Sequence, residues 1–187
     1  MDNDLIKLLR KNKAMLIEKW VLMTLQTYPD QSARFFIKEK NPFANPVGNT
    51  LEHSLTELFD ALVDGQDIKT IVPILDGMAH IRAVQGFSPS RSLSFLLFLK
   101  EIIRQELNED VRRLNLHEQA VDFGARIDGV LLLAFDAFMK CREKLYQIRV
   151  NEMLRQHSGL LKRAGLECVY PQEKDGGHRG VNLEESN

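Results

Sequence analysis

Several things are scarce in this sequence, and each scarcity narrows what the chain can be. Cysteine occurs twice in 187 residues, at Cys141 and Cys168, with no metal or redox spacing and no disulfide framework. The longest purely apolar run is VLLLAF, Val130 to Phe135. That is far short of the roughly twenty residues a membrane helix needs, so no membrane span is expected. The opening MDNDLIKLLRKNK starts acidic and lacks an apolar stretch with a small-residue cleavage site, which predicts no signal peptide and a cytoplasmic protein. Charge of one sign is also missing: the net value is -1. A strongly positive surface for nucleic acid is thereby excluded, and no nucleic-acid partner is expected. The densest basic spots, RKNK at residues 10–13 and KEK at 38–40, read as solvated faces. There is no glycine-rich phosphate loop, no HExxH pair and no nucleophile elbow. Carboxylates fall on polar faces, Glu152 beyond the core excepted. Neither an enzyme, nor a metal site, nor a resident cofactor is expected.

What is present is helical periodicity, and no stretch alternates like a half-buried strand. The pattern predicts an all-α domain over residues 1–164, of about five helices, and a polar tail over 165–187 with too few apolar residues to pack. A first helix is expected over residues 4–27, with Leu5, Leu9, Leu16, Trp20 and Met23 on one face. SARFFIKEK follows as a short helical turn or an irregular segment. Asn45 caps a second helix whose first position is Pro46, where a missing N–H costs nothing. It carries Val47, Leu51, Leu55, Leu58 and Leu62 and stops at Asp64 and Gly65. Asp67 caps a third, kinked or restarted by Pro73 and ended at Gly86. Ser88 and Pro89 open a fourth, whose SLSFLLFLKEII is apolar on nearly every side and predicts a central, fully buried helix. Asn115 is expected to cap the last and longest helix, residues 116–164.

That last helix carries two apolar seams. Leu116, Ala120, Phe123, Ile127, Leu131, Ala134, Phe138, Cys141, Leu145 and Ile148 share one stripe, in heptad steps from Ile127 onward. Roughly a third of a turn away lie Leu132, Phe135, Met139, Tyr146, Val150, Met153 and Leu160, interrupted by Arg142 and His157. One stripe buries a helix against its own domain; a second needs a second surface. A straight helix of this length runs roughly 70 Å, against about 40 Å for a compact domain of this size. The helix therefore breaks or projects, and a symmetric homodimer is the expected cover for the second seam. The competing reading is a kink that folds the helix back on its own domain.

IRAVQGFSPS, residues 81–90, holds the main anomaly. Ile68, Ile71, Val72, Leu75, Met78 and Ala79 define the apolar stripe of the third helix, and Arg82 falls on its centre line with Gln85 near its edge. An unpaired buried guanidinium is prohibitively costly, so Arg82 must have a carboxylate, carbonyls or water beside it. Two readings stand open. Arg82 and Gln85 tie the helix end to backbone carbonyls or a facing carboxylate, or they form a small-ligand or partner site that reads an anion.

Three stretches, NPFANPVG, IRAVQGFSPSRSLSFLLFLKEIIR and the closing helix with KLYQIRVNE, resemble the N-terminal domain of the RsbRD type, the sensor domain of RsbT co-antagonist proteins in the bacterial stressosome. The resemblance covers roughly residues 4–163, and RAVQ-x-F-S-P is its most specific part. It implies a globin-like domain, usually without haem, that dimerises through its terminal helices and meets a regulatory protein partner. Members continue into a STAS domain that accepts phosphoryl groups and binds a switch kinase. Here a short polar tail follows Gly165, so those functions are not carried over. Sensing and association are, onto Pro46, Gly48, Arg82, Gln85 and Pro89. The residues give independent reasons for each: helix starts for the prolines, a close backbone approach for Gly48 and a buried polar pair for Arg82 and Gln85.

A globin-like fold raises haem, which needs an inward axial histidine. His53 and His80 sit opposite their apolar stripes, His117 lies off its main stripe, His157 is on the second seam and His178 is in the tail. His53 and Glu57 share a face, but two ligands do not make a metal site. The expected function is thus a dimeric, non-enzymatic sensor or regulatory domain that binds a partner protein and is gated by a small ligand in its core. Two alternatives stand beside it: a haem- or ligand-binding globin-like sensor, and an accessory factor of an anaerobic respiratory or redox complex.

Overall fold

A computed structural model describes residues 4–39 and 41–163, with side chains through residue 156. The described residues form seven helices and no strand: α1 (Asp4–Lys11), α2 (Lys13–Leu25), α3 (Asp30–Lys38), α4 (Pro46–Val63), α5 (Ile68–Val84), α6 (Pro89–Arg113) and α7 (His117–Arg163). The all-α class and the long closing helix are as the periodicity predicts. The extra helices have simple origins. The expected first helix is interrupted at Asn12 (φ -101°, ψ 9°), whose side-chain amide donates to the Leu8 carbonyl at 2.9 Å. That side chain competes with the helical ladder locally and divides α1 from α2. SARFFIKEK contributes most of α3.

The helix starts follow the sequence signals. Asn45 accepts from the Gly48 N–H at 2.8 Å, with Pro46 at the first helical position of α4. Asp67 accepts from Thr70 N at 3.2 Å and Ser88 from Arg91 N at 3.4 Å, with Pro89 opening α6. Pro73 lies inside a continuous α5.

The stops share one device. In a Schellman motif a left-handed residue ends the helix, and the next N–H reaches back to a carbonyl five residues earlier. Gly65 (φ 67°) does this for α4, with Gln66 N donating to Ala61 O, and Gly86 (φ 76°) for α5, with Phe87 N donating to Arg82 O. Asn115 (φ 53°) does it for α6, with Leu116 N donating to Val111 O. Asn115 was expected to cap the start of α7; it closes α6 instead, because asparagine tolerates the left-handed region a short corner needs.

By contact the chain divides into two compact units, Met1–Gln147 and Ile148–Asn187. The first holds the core. Trp20, Leu16, Leu51, Leu55, Leu58, Phe59, Leu62, Leu96, Leu99 and Phe138 are completely buried. The Trp20 indole N–H donates to the Phe95 carbonyl at 2.6 Å, so the one buried indole is satisfied as its ring stacks on Phe95. α6 departs from expectation: Ser92, Phe95, Leu96, Leu99, Ile102, Ile103 and Leu107 are buried, but Leu97 is half exposed. It is buried on one broad face rather than all round.

The α7 residues of the first unit are tied to α1, α4 and α6. Gln119 accepts from Leu5 N at 3.0 Å, satisfying a free N–H at the start of α1. Arg126 donates to Leu62 O at 2.7 Å at the end of α4, and Lys100 pairs with Asp128 at 2.8 Å. Leu116, Phe123, Ile127, Ala134 and Phe138 are buried and Leu131, Cys141 and Leu145 partly so, as the first stripe predicts; Ile148 is exposed. In the second unit, Ile148, Val150, Met153 and Leu154 are exposed. The polar tail, 165–187, and the side chains of His157 and Leu160 lie outside the described residues.

Candidate functional site

Arg82 is 1 % exposed, the largest fully buried side chain after Trp20. Its surroundings come from three helices. Nη1 donates to the carbonyls of Arg91 (3.0 Å) and Ser92 (3.2 Å) in the first turn of α6. Nη2 donates to the Thr24 carbonyl (3.4 Å) and the Thr27 hydroxyl (3.3 Å) at the end of α2. Helix C-termini present unsatisfied carbonyls and a partial negative charge, so the end of α2 is a natural seat for a cation. Three rings close the cage, with Cζ at 5.2 Å from the Phe87 centroid and 5.6 Å from those of Tyr28 and Phe95. At these distances a guanidinium is attracted by ring faces. Arg91 lies 5.3 Å from the same Phe87 ring.

The backbone makes this corner by itself. In the Schellman motif that ends α5, Arg82 supplies the accepting carbonyl and Phe87 the donating N–H. That motif brings the two side chains against each other. Gln85 occupies the C-cap between them, and it is exposed. The expected buried polar pair of Arg82 and Gln85 does not form, because the cap position turns its side chain outward.

The corner also carries a deficit. Among the described residues, Arg82 Nε, Thr24 Oγ1, Tyr28 Oη and Ser92 Oγ are buried without a hydrogen-bond partner. Burial pushes the guanidinium below its ordinary pKa, the Tyr28 hydroxyl opposes this and Arg91 reinforces it. Burial likewise raises Tyr28, with Arg82 pulling the other way. The Tyr28 hydroxyl feels the guanidinium's charge without a well-aligned hydrogen bond to it. Sequence reasoning reached Arg82 but missed Thr24, Thr27, Tyr28, Phe87, Phe95 and Ser92. Phe87 was within reach through its Schellman position; Thr24 stands 58 residues away and left no local signal.

The other pattern residues are structural supports. Asn45 is buried; its amide donates to Phe36 O at 2.9 Å and Glu39 O at 2.8 Å while its oxygen caps α4. A Cβ on Gly48 would overlap that Asn45 amide, which is the close approach expected there. Pro46 and Pro89 open α4 and α6. His53, His80 and His117 are exposed, so none of these imidazoles faces the interior.

A second feature is apolar surface. In the first unit Leu132 is 70 % exposed, Phe135 44 %, Met139 45 % and Tyr146 52 %. Between α6 and α7 runs an open groove of about 660 Å³, floored by Ile103, Phe123 and Ile127 and flanked by Leu97 and Val121. No described helix is long and apolar enough to cross a membrane, and no described group of His, Cys, Asp or Glu could hold a metal ion.

The described residues thus form a purely helical domain, with a buried cation where three helices meet and an exposed apolar stripe on its longest helix. The chain belongs to the family of the RsbT co-antagonist protein rsbRD N-terminal domain, whose model matches residues 14–153. This is a signalling and stress-response family whose members act in protein–protein complexes. A protein of Archaeoglobus fulgidus, described as uncharacterized, is 26 % identical over 144 residues, covering 75 % of this chain and 84 % of its own length. No solved structure matches the chain.

Proposed function

We propose that this chain is a non-enzymatic, homodimeric sensor domain that relays a signal to a protein partner, with the second stripe of α7 as its association surface. One observation carries the reading: the stripe of Leu132, Phe135, Met139 and Tyr146 is exposed, while the first stripe of the same helix is buried. A monomer gains nothing by holding such a row in water, and contiguous exposed apolar surface marks association sites. Val150 and Met153, exposed in the second unit, fall in the same periodic series. Cyclic two-fold pairing is the commonest solution for such a surface. A small ligand in the helical core would act on this assembly by shifting its stability or its population of states.

Sedimentation equilibrium of the purified chain tests the reading. A mass of twice the 21.5 kDa chain at micromolar concentration is the expected result. A monomer throughout that range would overturn it.

A further inference from the structure

We propose that the Arg82 corner binds a small monovalent anion, held by the Arg82 Nε–H and the hydroxyls of Tyr28, Thr24 and Ser92. All four groups are buried, and among the described residues none has a hydrogen-bond partner. They are also neighbours. Arg82 donates to the carbonyls of Thr24 at 3.4 Å and Ser92 at 3.2 Å, and its Cζ stands 5.6 Å from the Tyr28 ring. Each of the four therefore belongs to the guanidinium or to a residue touching it. Buried donors left unpaired in a native fold call for an explanation, and a bound water or ion is the usual one.

Water and an anion are not equivalent here. Water satisfies hydroxyls but leaves the positive charge uncompensated. Among the described residues Arg82 bonds only carbonyls and a hydroxyl and makes no ion pair with a carboxylate. A second guanidinium, the exposed Arg91, stands 5.3 Å from the Phe87 ring that also faces Arg82, so it adds positive charge beside the one buried cation. An anion supplies both missing elements at once: charge compensation and acceptors for the free donors.

The geometry also sets the ligand class. Nη1 and Nη2 are committed to Arg91 O, Ser92 O, Thr24 O and Thr27 Oγ1. The guanidinium's two-pronged edge, which grips phosphate and carboxylate side-on, is therefore occupied. What remains is a single charged N–H with neutral hydroxyls around it. That set suits a halide or nitrate. A dianion would bring a second charge to a site with one buried cation. The inference names the ligand for the gating step proposed above and rests on that reading only for its regulatory consequence.

Thermal unfolding of the full chain at constant ionic strength, with sodium chloride or nitrate replacing gluconate, tests it. Wild type should gain several degrees in Tm, saturably, as binding linkage requires. Phosphate at the same ionic strength should give no such gain. Ser92→Ala and Tyr28→Phe leave the bonds Arg82 itself makes intact. Both should keep the wild-type Tm in gluconate and shift the chloride midpoint upward by about tenfold, the scale of a lost charge-coupled hydrogen bond. An unchanged wild-type Tm across the three salts would overturn the proposal in favour of water. So would a midpoint that neither substitution moves, because the anion would then bind elsewhere. Mass by sedimentation in the same buffers reports the dimer separately. A missing anion response with an intact dimer fails the ligand alone, and a monomer with an intact response fails the association reading alone.

Discussion

Phe87 lies against Arg82, 5.2 Å from ring centroid to Cζ, because its own backbone N–H is hydrogen-bonded to the Arg82 carbonyl. One turn of backbone thus sets the cation, one wall of its cage and the stop of α5. The remaining bonds of Arg82 reach α2 and α6, so a single side chain holds three helices in register.

Removing that side chain should be costly. Arg82→Met loses four donated hydrogen bonds and strands part of their acceptors. About 2–3 kcal/mol of stability should go, as for hydrogen bonds made by a charged donor. Arg82→Lys should recover less than half, since an ammonium cannot span both helices as the planar fork does. Urea unfolding followed by circular dichroism measures both; equal stability of Arg82→Met and wild type would refute the tie.

Gly48→Ala tests a close approach rather than a charge. The added methyl would displace the Asn45 amide and with it the cap of α4 and the bonds to Phe36 O and Glu39 O. The expected loss is roughly 2 kcal/mol, a lost cap plus local overpacking. Asn45→Ala in the Gly48→Ala background should add little further, which a double-mutant cycle would reveal.

For the association surface, Leu132→Glu with Met139→Glu should halve the native mass while leaving helicity and Tm near those of an isolated folded domain. Both positions are exposed, so the charges cost the monomer little. Val150→Glu with Met153→Glu asks the same of the residues beyond Gln147. A dimer that survives both pairs would remove this stripe from consideration.

Alkaline pH offers a readout of the cage. Burial raises the Tyr28 pKa above its ordinary 10.0 in the folded chain. Between the unfolded and folded values the unfolded state releases the proton first, so the folded state binds more protons and stability falls as pH rises. Stability attributable to Tyr28 is thus fully present below about pH 10 and lost above it. Tyr28→Phe should flatten that alkaline limb relative to wild type, with no difference near neutrality in anion-free buffer. Identical limbs in the two proteins would place Tyr28 in water.

Which parts of this were legible in the sequence follows from how local their causes are. Asn45 with Pro46, Asp67, and Ser88 with Pro89 start helices through contacts within four residues, and all read correctly. The Leu116 to Leu145 stripe was legible because a regular helix repeats its faces. Asn115 was misread because one residue type both starts helices and tolerates left-handed turns; only its φ of 53° decides. Gln85 was misread because its wheel angle ignored the cap, where the side chain leaves the helical pattern. α6 was overestimated because Leu97 is apolar yet borders an open groove. The cage around Arg82 was illegible beyond Phe87: Thr24 comes from the last turn of α2 and Thr27 from the turn after it, and nothing near Arg82 announces them.

The order of the chain gives this corner a place in time. Every group that touches the Arg82 guanidinium lies within residues 24–95. Chains emerge from the ribosome N-terminus first and begin to fold as they do. The corner can therefore close while α7 is still unmade, and the apolar stripe of α7 is synthesised after it. A nascent chain that follows this order presents its sticky surface only after the corner has closed, which shortens its exposure to neighbours on the same message.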